Sequence, residues 1–281
     1  MPRTPPASES LADSPRAALV ILHGLAEHAA RYRALADELA ARDISTLAFD
    51  QRGHGMTAGP RTHVDAFDDL VEDALHVCAA FAARHPALPL FVWGHSMGGI
   101  VALRMAARDN AKLSGLIVSS SSLEVFKRGL DPLHSFFRFA SRVAPWVRIR
   151  LRIDVAHLSS DAAVQRAYAN DPLIPTTASL RLVVEFAKAC DLARSDAPKI
   201  RVPTLVVHGE ADAIAPARGS QILFDALGSA DKTLKIFPEL RHEVHNERAE
   251  DRAVFVELLT EWILARANGS AAFLNDSHQA S

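Results

Sequence analysis

Short apolar runs alternate with longer amphipathic segments along most of this chain, and that alternation leaves few folds open to it. The runs are Ala18–Leu22, Thr46–Phe49, Leu90–Trp93, Leu116–Val118, Thr204–Val207 and Thr233–Phe237. Each reads as a strand buried on both faces. Between them, apolar residues recur at helical spacing over Arg31–Ala41, Asp68–Arg84, Met97–Arg108, Pro216–Leu227 and Ala249–Ala265. In the last of these, Phe255, Leu258, Leu259 and Trp262 share one face, which predicts a core-facing stripe. Strands and helices in this order build a mostly parallel sheet with helices on both faces, an α/β fold. With 281 residues and 49% apolar composition, the chain can bury a sizeable core. Its length fits one large domain or a domain carrying an insertion.

The alternation breaks between about Ser121 and Val202, where helix-like pieces follow one another. An insertion of this size between strands reads as a mainly helical cap over the sheet, with Pro198 and Pro203 bracketing the return. Within it, Ile-Arg-Leu-Arg-Ile at 149–153 alternates in the manner of a short strand. The expected organisation is a disordered tail over 1–16, a core over 17–120 and 199–267, a cap over 121–198 and a flexible tail over 268–281.

Charge and cysteine content narrow the function classes. Thirty-one lysines and arginines nearly balance thirty-three aspartates and glutamates, so no electrostatic footprint for nucleic acid is present. The two cysteines, Cys78 and Cys190, lie in apolar helical stretches and read as buried free thiols in a reducing compartment. Met1–Arg16 lacks the apolar core of a signal peptide. No run approaches the roughly 18–20 apolar residues that span a bilayer. These features predict a cytoplasmic protein and say nothing about its oligomeric state.

The run Leu90–Trp93 is followed by Gly-His-Ser-Met-Gly at 94–98, a strand leading through Gly-x-Ser-x-Gly into a helix. Such a turn lifts Ser96 above the sheet as a candidate nucleophile. A serine hydroxyl is a poor nucleophile near neutral pH and needs a base, which in turn needs an orienting acid. After Thr204–Val207 comes His-Gly-Glu-Ala-Asp at 208–212. Asp212 is the preferred acid there, with Glu210 as its competitor. After Thr233–Phe237 come two candidate bases, His242 and His245, which spacing alone does not separate. His-Glu-Val-His at 242–245 is one residue short of a zinc-protease motif, so no metal is expected. An oxyanion hole would take the amides of Met97, after the nucleophile, and Leu25, in the loop after the first run.

Several motifs carry a resemblance to a known family. They are His-Gly-Leu-Ala-Glu-His-Ala-Ala-Arg-Tyr at 23–32, Asp-Gln-Arg-Gly-His-Gly at 50–55 and Gly-His-Ser-Met-Gly-Gly at 94–99. Asn-Asp-Pro-Leu-Ile at 170–174, His-Gly-Glu-Ala-Asp at 208–212, Asp-Lys-Thr-Leu-Lys-Ile at 231–236 and His-Glu-Val-His-Asn-Glu at 242–247 complete the set. In this order, from about residue 17 to 265, the chain resembles monoacylglycerol lipases and related lysophospholipases and serine-aminopeptidase-like α/β-hydrolases. The resemblance implies an α/β-hydrolase fold of six to eight strands and His242 as the base. It also implies that Glu27, Arg31 and His245 line a glycerol-like headgroup site, although Glu27 and Arg31 could equally pair with each other. The family usually opens with an antiparallel strand pair before the His-Gly strand. With only a tail expected there, the sheet could be reduced to six strands.

The expected function is hydrolysis of acyl esters such as monoacylglycerols or lysophospholipids, without a cofactor. The rival chemistry on the same triad is an amidase or aminopeptidase. An epoxide hydrolase or dehalogenase would want a carboxylate in place of Ser96. A haloperoxidase-like side activity could share the triad, and a non-catalytic binding protein would usually have lost one of its members. Aromatic and arginine residues intermix over Ser135–Val155. They mark a cap that packs on the site mouth and is a candidate for transient contact with lipid aggregates.

Overall fold

The computed structural model describes residues 6–108, 113–125 and 132–278, with side chains described throughout except at 132–134 and 269–278. The six predicted runs all form strands, at β2 (Ala17–Leu22), β3 (Ile44–Phe49), β4 (Leu90–His95), β5 (Gly115–Ser119), β8 (Thr204–Gly209) and β9 (Lys232–Phe237). They pair side by side in parallel. A seventh strand, β1 (Ala7–Ser10), lies antiparallel on β3 at the edge, giving the order β1-β3-β2-β4-β5-β8-β9. The expected tail over 1–16 is thus in part a strand. Ala-Ser-Glu-Ser has no apolar run to betray it, because as an edge strand it is held by ladder bonds to β3 rather than by burial.

Helices cover both faces. α1 (Arg33–Ala40) and α8 (Ala249–His278) close one side, where Leu19, Phe91, Trp93, Ile117, Phe255, Leu259 and Trp262 form a continuous core. α2 (Asp68–Arg84) and α3 (Met97–Arg108) close the other, over Val20, Val92, Leu116 and Val118. α7 (Arg218–Ala226) adds Leu223 to that second core. Cys78 and Cys190 are buried free thiols there. Because successive strands are parallel, their C-terminal ends gather along one edge of the sheet, where α/β folds place ligands. α8 continues to His278, where a frayed tail from residue 268 was expected, and residues 279–281 lie outside the described residues.

Between β5 and β8 the chain forms α4 (Pro132–Val143), α5 (Ala162–Ala169) and α6 (Leu180–Asp196). A two-stranded antiparallel ribbon joins β6 (Arg148–Arg150) to β7 (Thr177–Ser179). The alternation at 149–153 thus overlaps a strand of three residues. α6 packs on α3, and Leu182, Phe186, Ala189 and Cys190 extend the core beneath it. No helix among the described residues is long and apolar enough to cross a membrane.

Candidate active site

Ser96 sits between β4 and α3 with φ of +52°, a left-handed conformation rare outside glycine. The turn is possible because α3 starts in contact with the neighbouring strand: a Cβ on Gly98 would lie 2.1 Å from the Leu22 carbonyl oxygen. The Ser96 amide donates to the Ser119 carbonyl at 3.0 Å, tying the turn to the end of β5. Its hydroxyl is half-buried and meets the Ser122 hydroxyl at 3.1 Å.

Asp212 lies in the loop after β8. One of its oxygens, Oδ1, accepts the Ile214 and Ala215 amides at 2.8 and 2.9 Å. The other, Oδ2, receives His242 Nδ1 at 2.7 Å and His208 Nε2 at 2.9 Å. Burial alone would raise the pKa of this carboxyl. The His242 charge and the hydrogen bonds from both histidines instead hold it well below the usual carboxylate range. Burial acts on His242 in the opposite direction and would lower its pKa, but the Asp212 charge and hydrogen bond outweigh that and raise it. With Nδ1 donating to Asp212, Nε2 is the free basic nitrogen. Glu210, the competing acid, is exposed.

The two candidate bases now separate. His245 is fully buried, stacked on Tyr32 with centroids 4.9 Å apart and edge-on to Trp93 and His95. Neither ring nitrogen has a hydrogen-bond partner among the described residues. Burial pushes its pKa down to about 3, so it packs as a neutral ring. This corrects the headgroup role that the resemblance implied for His245: an imidazole sealed under three rings presents no polar edge to a ligand.

Glu27 and Arg31 form a buried ionic cluster rather than an open polar pocket. Arg31 clasps Glu243 with two nitrogens at 2.7 and 2.8 Å and lies 3.3 Å from Glu27. Tyr32 donates to Glu27 at 2.8 Å, and the guanidinium lies over the Tyr168 ring. Burial favours the neutral form of both carboxyls. The double hydrogen bond from Arg31 overrides it at Glu243, whose pKa falls, while Glu27 keeps a raised one. The pairing of Glu27 with Arg31 that sequence left open is therefore present. Glu243 joins it, and its position beside His242 was the one signal available.

The His23-Gly-Leu-Ala loop abuts Ser96. A Cβ on Gly24 would lie 3.2 Å from Ser96 Cβ, so glycine is what lets this backbone approach. His23 Nε2 accepts the Gln51 amide at 3.0 Å, which leaves its Nδ1 to donate to the Gly24 carbonyl at 2.8 Å. The Gln51 side chain adds a bond to the His23 carbonyl. The Asp-Gln-Arg-Gly-His-Gly motif thus scaffolds this loop. Leu25 is half-buried and Met97 fully buried at the start of α3, which puts both residues on segments bordering Ser96.

Sequence reasoning missed His208 and the serines that follow β5. His208, next to last in β8, precedes Asp212 by four residues, which could have suggested contact. The run Ser119–Ser122 stands out only once β5 is known to end beside β4.

Residues 13–249 match the serine aminopeptidase S33 family. The chain belongs to that family. It is 33% identical over 256 residues to the monoacylglycerol lipase of Mycolicibacterium smegmatis, a match covering 89% of each chain. It is 32% identical over 259 residues to the monoglyceride lipase of Homo sapiens, covering 90% of this chain and 84% of that one. The solved monoacylglycerol lipase of Paleococcus ferrophilus superposes with a TM-score of 0.82 at 27% identity, over 93% of this chain and 99% of that one. This S33 member is a serine hydrolase of the lipase and esterase type with an α/β-hydrolase fold.

Proposed function

We propose that this chain hydrolyses monoacylglycerols through an acyl-enzyme on Ser96. The observation that carries the reading is the 2.7 Å bond from His242 Nδ1 to Asp212 Oδ2, which fixes the ring tautomer needed in a base. His242 Nε2 takes the Ser96 proton as Oγ attacks the acyl carbonyl. The carbonyl oxygen gains negative charge, and the Met97 and Leu25 amides hold it. Collapse expels the alcohol, which takes the proton from His242. Water then repeats the sequence, activated by His242, and releases the fatty acid with Ser96 restored. The buried charge cluster behind His242 holds the base loop through Glu243 and Arg31. Losing Arg31 would leave two carboxyls without their cation, at a cost of about 3–5 kcal/mol.

The substrate class is supported by the names of the relatives and by the cap. Phe136, Phe139 and Val143 recur at helical spacing on α4, and with Trp146 they are 60–69% exposed. Exposed Arg138, Arg142, Arg150 and Arg152 flank them. That face suits a peripheral enzyme meeting its substrate at an anionic lipid surface on the cytoplasmic side.

The family description favours one second reading, amide cleavage at a peptide N-terminus. Purified protein should be assayed against monooleoylglycerol, lysophosphatidylcholine and an aminoacyl anilide, with Ser96→Ala as control. Ester turnover lost in Ser96→Ala is expected. Anilide turnover without monoacylglycerol turnover would replace the proposal with the second reading.

A further inference from the structure

We propose that Ser122 is an additional catalytic residue, donating a hydrogen bond to Ser96 Oγ as negative charge develops on that oxygen. The inference rests on the reading of Ser96 as nucleophile. The two hydroxyl oxygens are 3.1 Å apart, and Ser122 is 1% exposed.

The segment that carries Ser122 is built around the site. The Ser119 carbonyl accepts the Ser96 amide, and its hydroxyl holds Trp93 Nε1 at 2.9 Å and His95 Nδ1 at 3.0 Å. Ser120 adopts φ of +50°, a costly conformation for a serine, and its hydroxyl donates to the His242 carbonyl at 2.5 Å. Consecutive residues thus brace the backbones of both nucleophile and base. Ser122, which opens the short turn Ser122–Glu124, reaches the nucleophilic oxygen itself. Its carbonyl is anchored by the Val125 amide at 3.1 Å and the Cys190 thiol at 3.5 Å, so the hydroxyl is presented from a fixed backbone.

Proton accounting sets the direction of the bond. Ser96 has one hydroxyl proton, and attack sends it to His242 Nε2. Ser122 therefore donates, and the Ser96 lone pair on the other side forms the bond to the acyl carbon. A hydrogen bond to an oxygen gaining charge strengthens relative to one between neutral hydroxyls. The interaction thus favours the transition state over the ground state. The same donor serves deacylation, when Ser96 leaves as an alkoxide and recovers its proton from His242. No proton of Ser122 is transferred.

The test compares Ser122→Ala, Ser122→Thr and Ser122→Val with wild type, in ester turnover and in the rate of labelling by a fluorophosphonate. Ser122→Ala should lower kcat and the labelling rate by about 10- to 100-fold, with KM held within about twofold. Thr and Val share one shape and differ in the hydroxyl, so Ser122→Thr should be faster than Ser122→Val by a similar factor. Wild-type or higher rates in Ser122→Ala, or equal rates for the Thr and Val variants, would overturn the proposal. If instead wild-type protein is not labelled on Ser96, the nucleophile reading itself fails, and the two failures are told apart.

Discussion

His208 Nε2 lies 2.9 Å from Oδ2 of Asp212, the same carboxylate oxygen that receives His242. Nε2 also faces the Ala215 carbonyl at 2.8 Å. Both partners are acceptors, so Nε2 carries a proton, and Nδ1 meets the Ser220 hydroxyl at 2.6 Å. In the proposed mechanism His208 is a positioning residue: it holds Asp212, which orients His242.

Replacing His208 by alanine strips Asp212 of one donor and leaves the Ser220 hydroxyl and Ala215 carbonyl short of a partner in the interior. Stability should fall by about 1–3 kcal/mol, read as a lower urea midpoint. Turnover should fall about tenfold with KM little changed, since the lost bond acts through Asp212 and not on substrate. Unchanged turnover would mean that the Ile214 and Ala215 amides orient the carboxylate unaided.

The pH–rate profile should report His242. A base must be neutral to take a proton, and the charge of Asp212 raises the pKa of this ring. kcat/KM should therefore climb with pH through a midpoint above the ordinary histidine value of about 6.5. In Asp212→Asn the raising charge is gone and burial dominates. The acid limb should then move to lower pH while the plateau drops by about 10³–10⁴. An acid limb that stays in place would show that another group controls it.

Much of this architecture was legible because burial writes itself into composition. The five interior strands β2, β3, β4, β5 and β8 are buried along their whole length, while β9, at the far edge, buries only Phe237 and is marked by the apolar residues that alternate with its lysines. β1 was illegible because its support is backbone pairing to β3. The Gly-x-Ser-x-Gly turn marked Ser96 through the local backbone it demands. The choice between His242 and His245 could not be read, since a difference of three residues in a loop has no periodic signature. Only tertiary placement puts one ring on Asp212 and seals the other beneath Tyr32 and Trp93. The ion cluster of Glu27, Arg31 and Glu243 depends on a partner more than two hundred residues away, beyond any local pattern.

Acid should destabilise the fold through its buried neutral histidines. Burial pushes the pKa of His23, His54 and His245 down to about 3, and that of His95 down as well. Below about pH 6.5 the unfolded chain protonates these four rings while the folded one does not, so stability rises with pH in that window and is complete above it. The slope reaches at most about 5 kcal/mol per pH unit. His242 works the other way, contributing stability at low pH that is lost as pH rises through its raised pKa. Urea midpoints should drop steeply from pH 6.5 to 5. A flat profile over that range would contradict neutral burial of the four rings.

The α4 face should govern attachment to lipid and not chemistry. Phe139→Ser with Trp146→Ser removes two of its most exposed aromatic rings, which lie far along the chain from the triad residues. Co-sedimentation with vesicles containing anionic phospholipid should weaken, while turnover of a short soluble ester stays at wild-type level. Equal sedimentation of the double variant would remove the lipid role from this face.

The proposed chemistry requires that Ser96 be made reactive by His242. Mass mapping of a fluorophosphonate adduct, with labelling rates for wild type, His242→Ala and His245→Ala, tests it most directly. The adduct should sit on Ser96, and His242→Ala should slow its formation by several powers of ten. His245→Ala should label near the wild-type rate while losing stability. An adduct on another residue, or a His245→Ala enzyme that is inert while His242→Ala still labels, would contradict it.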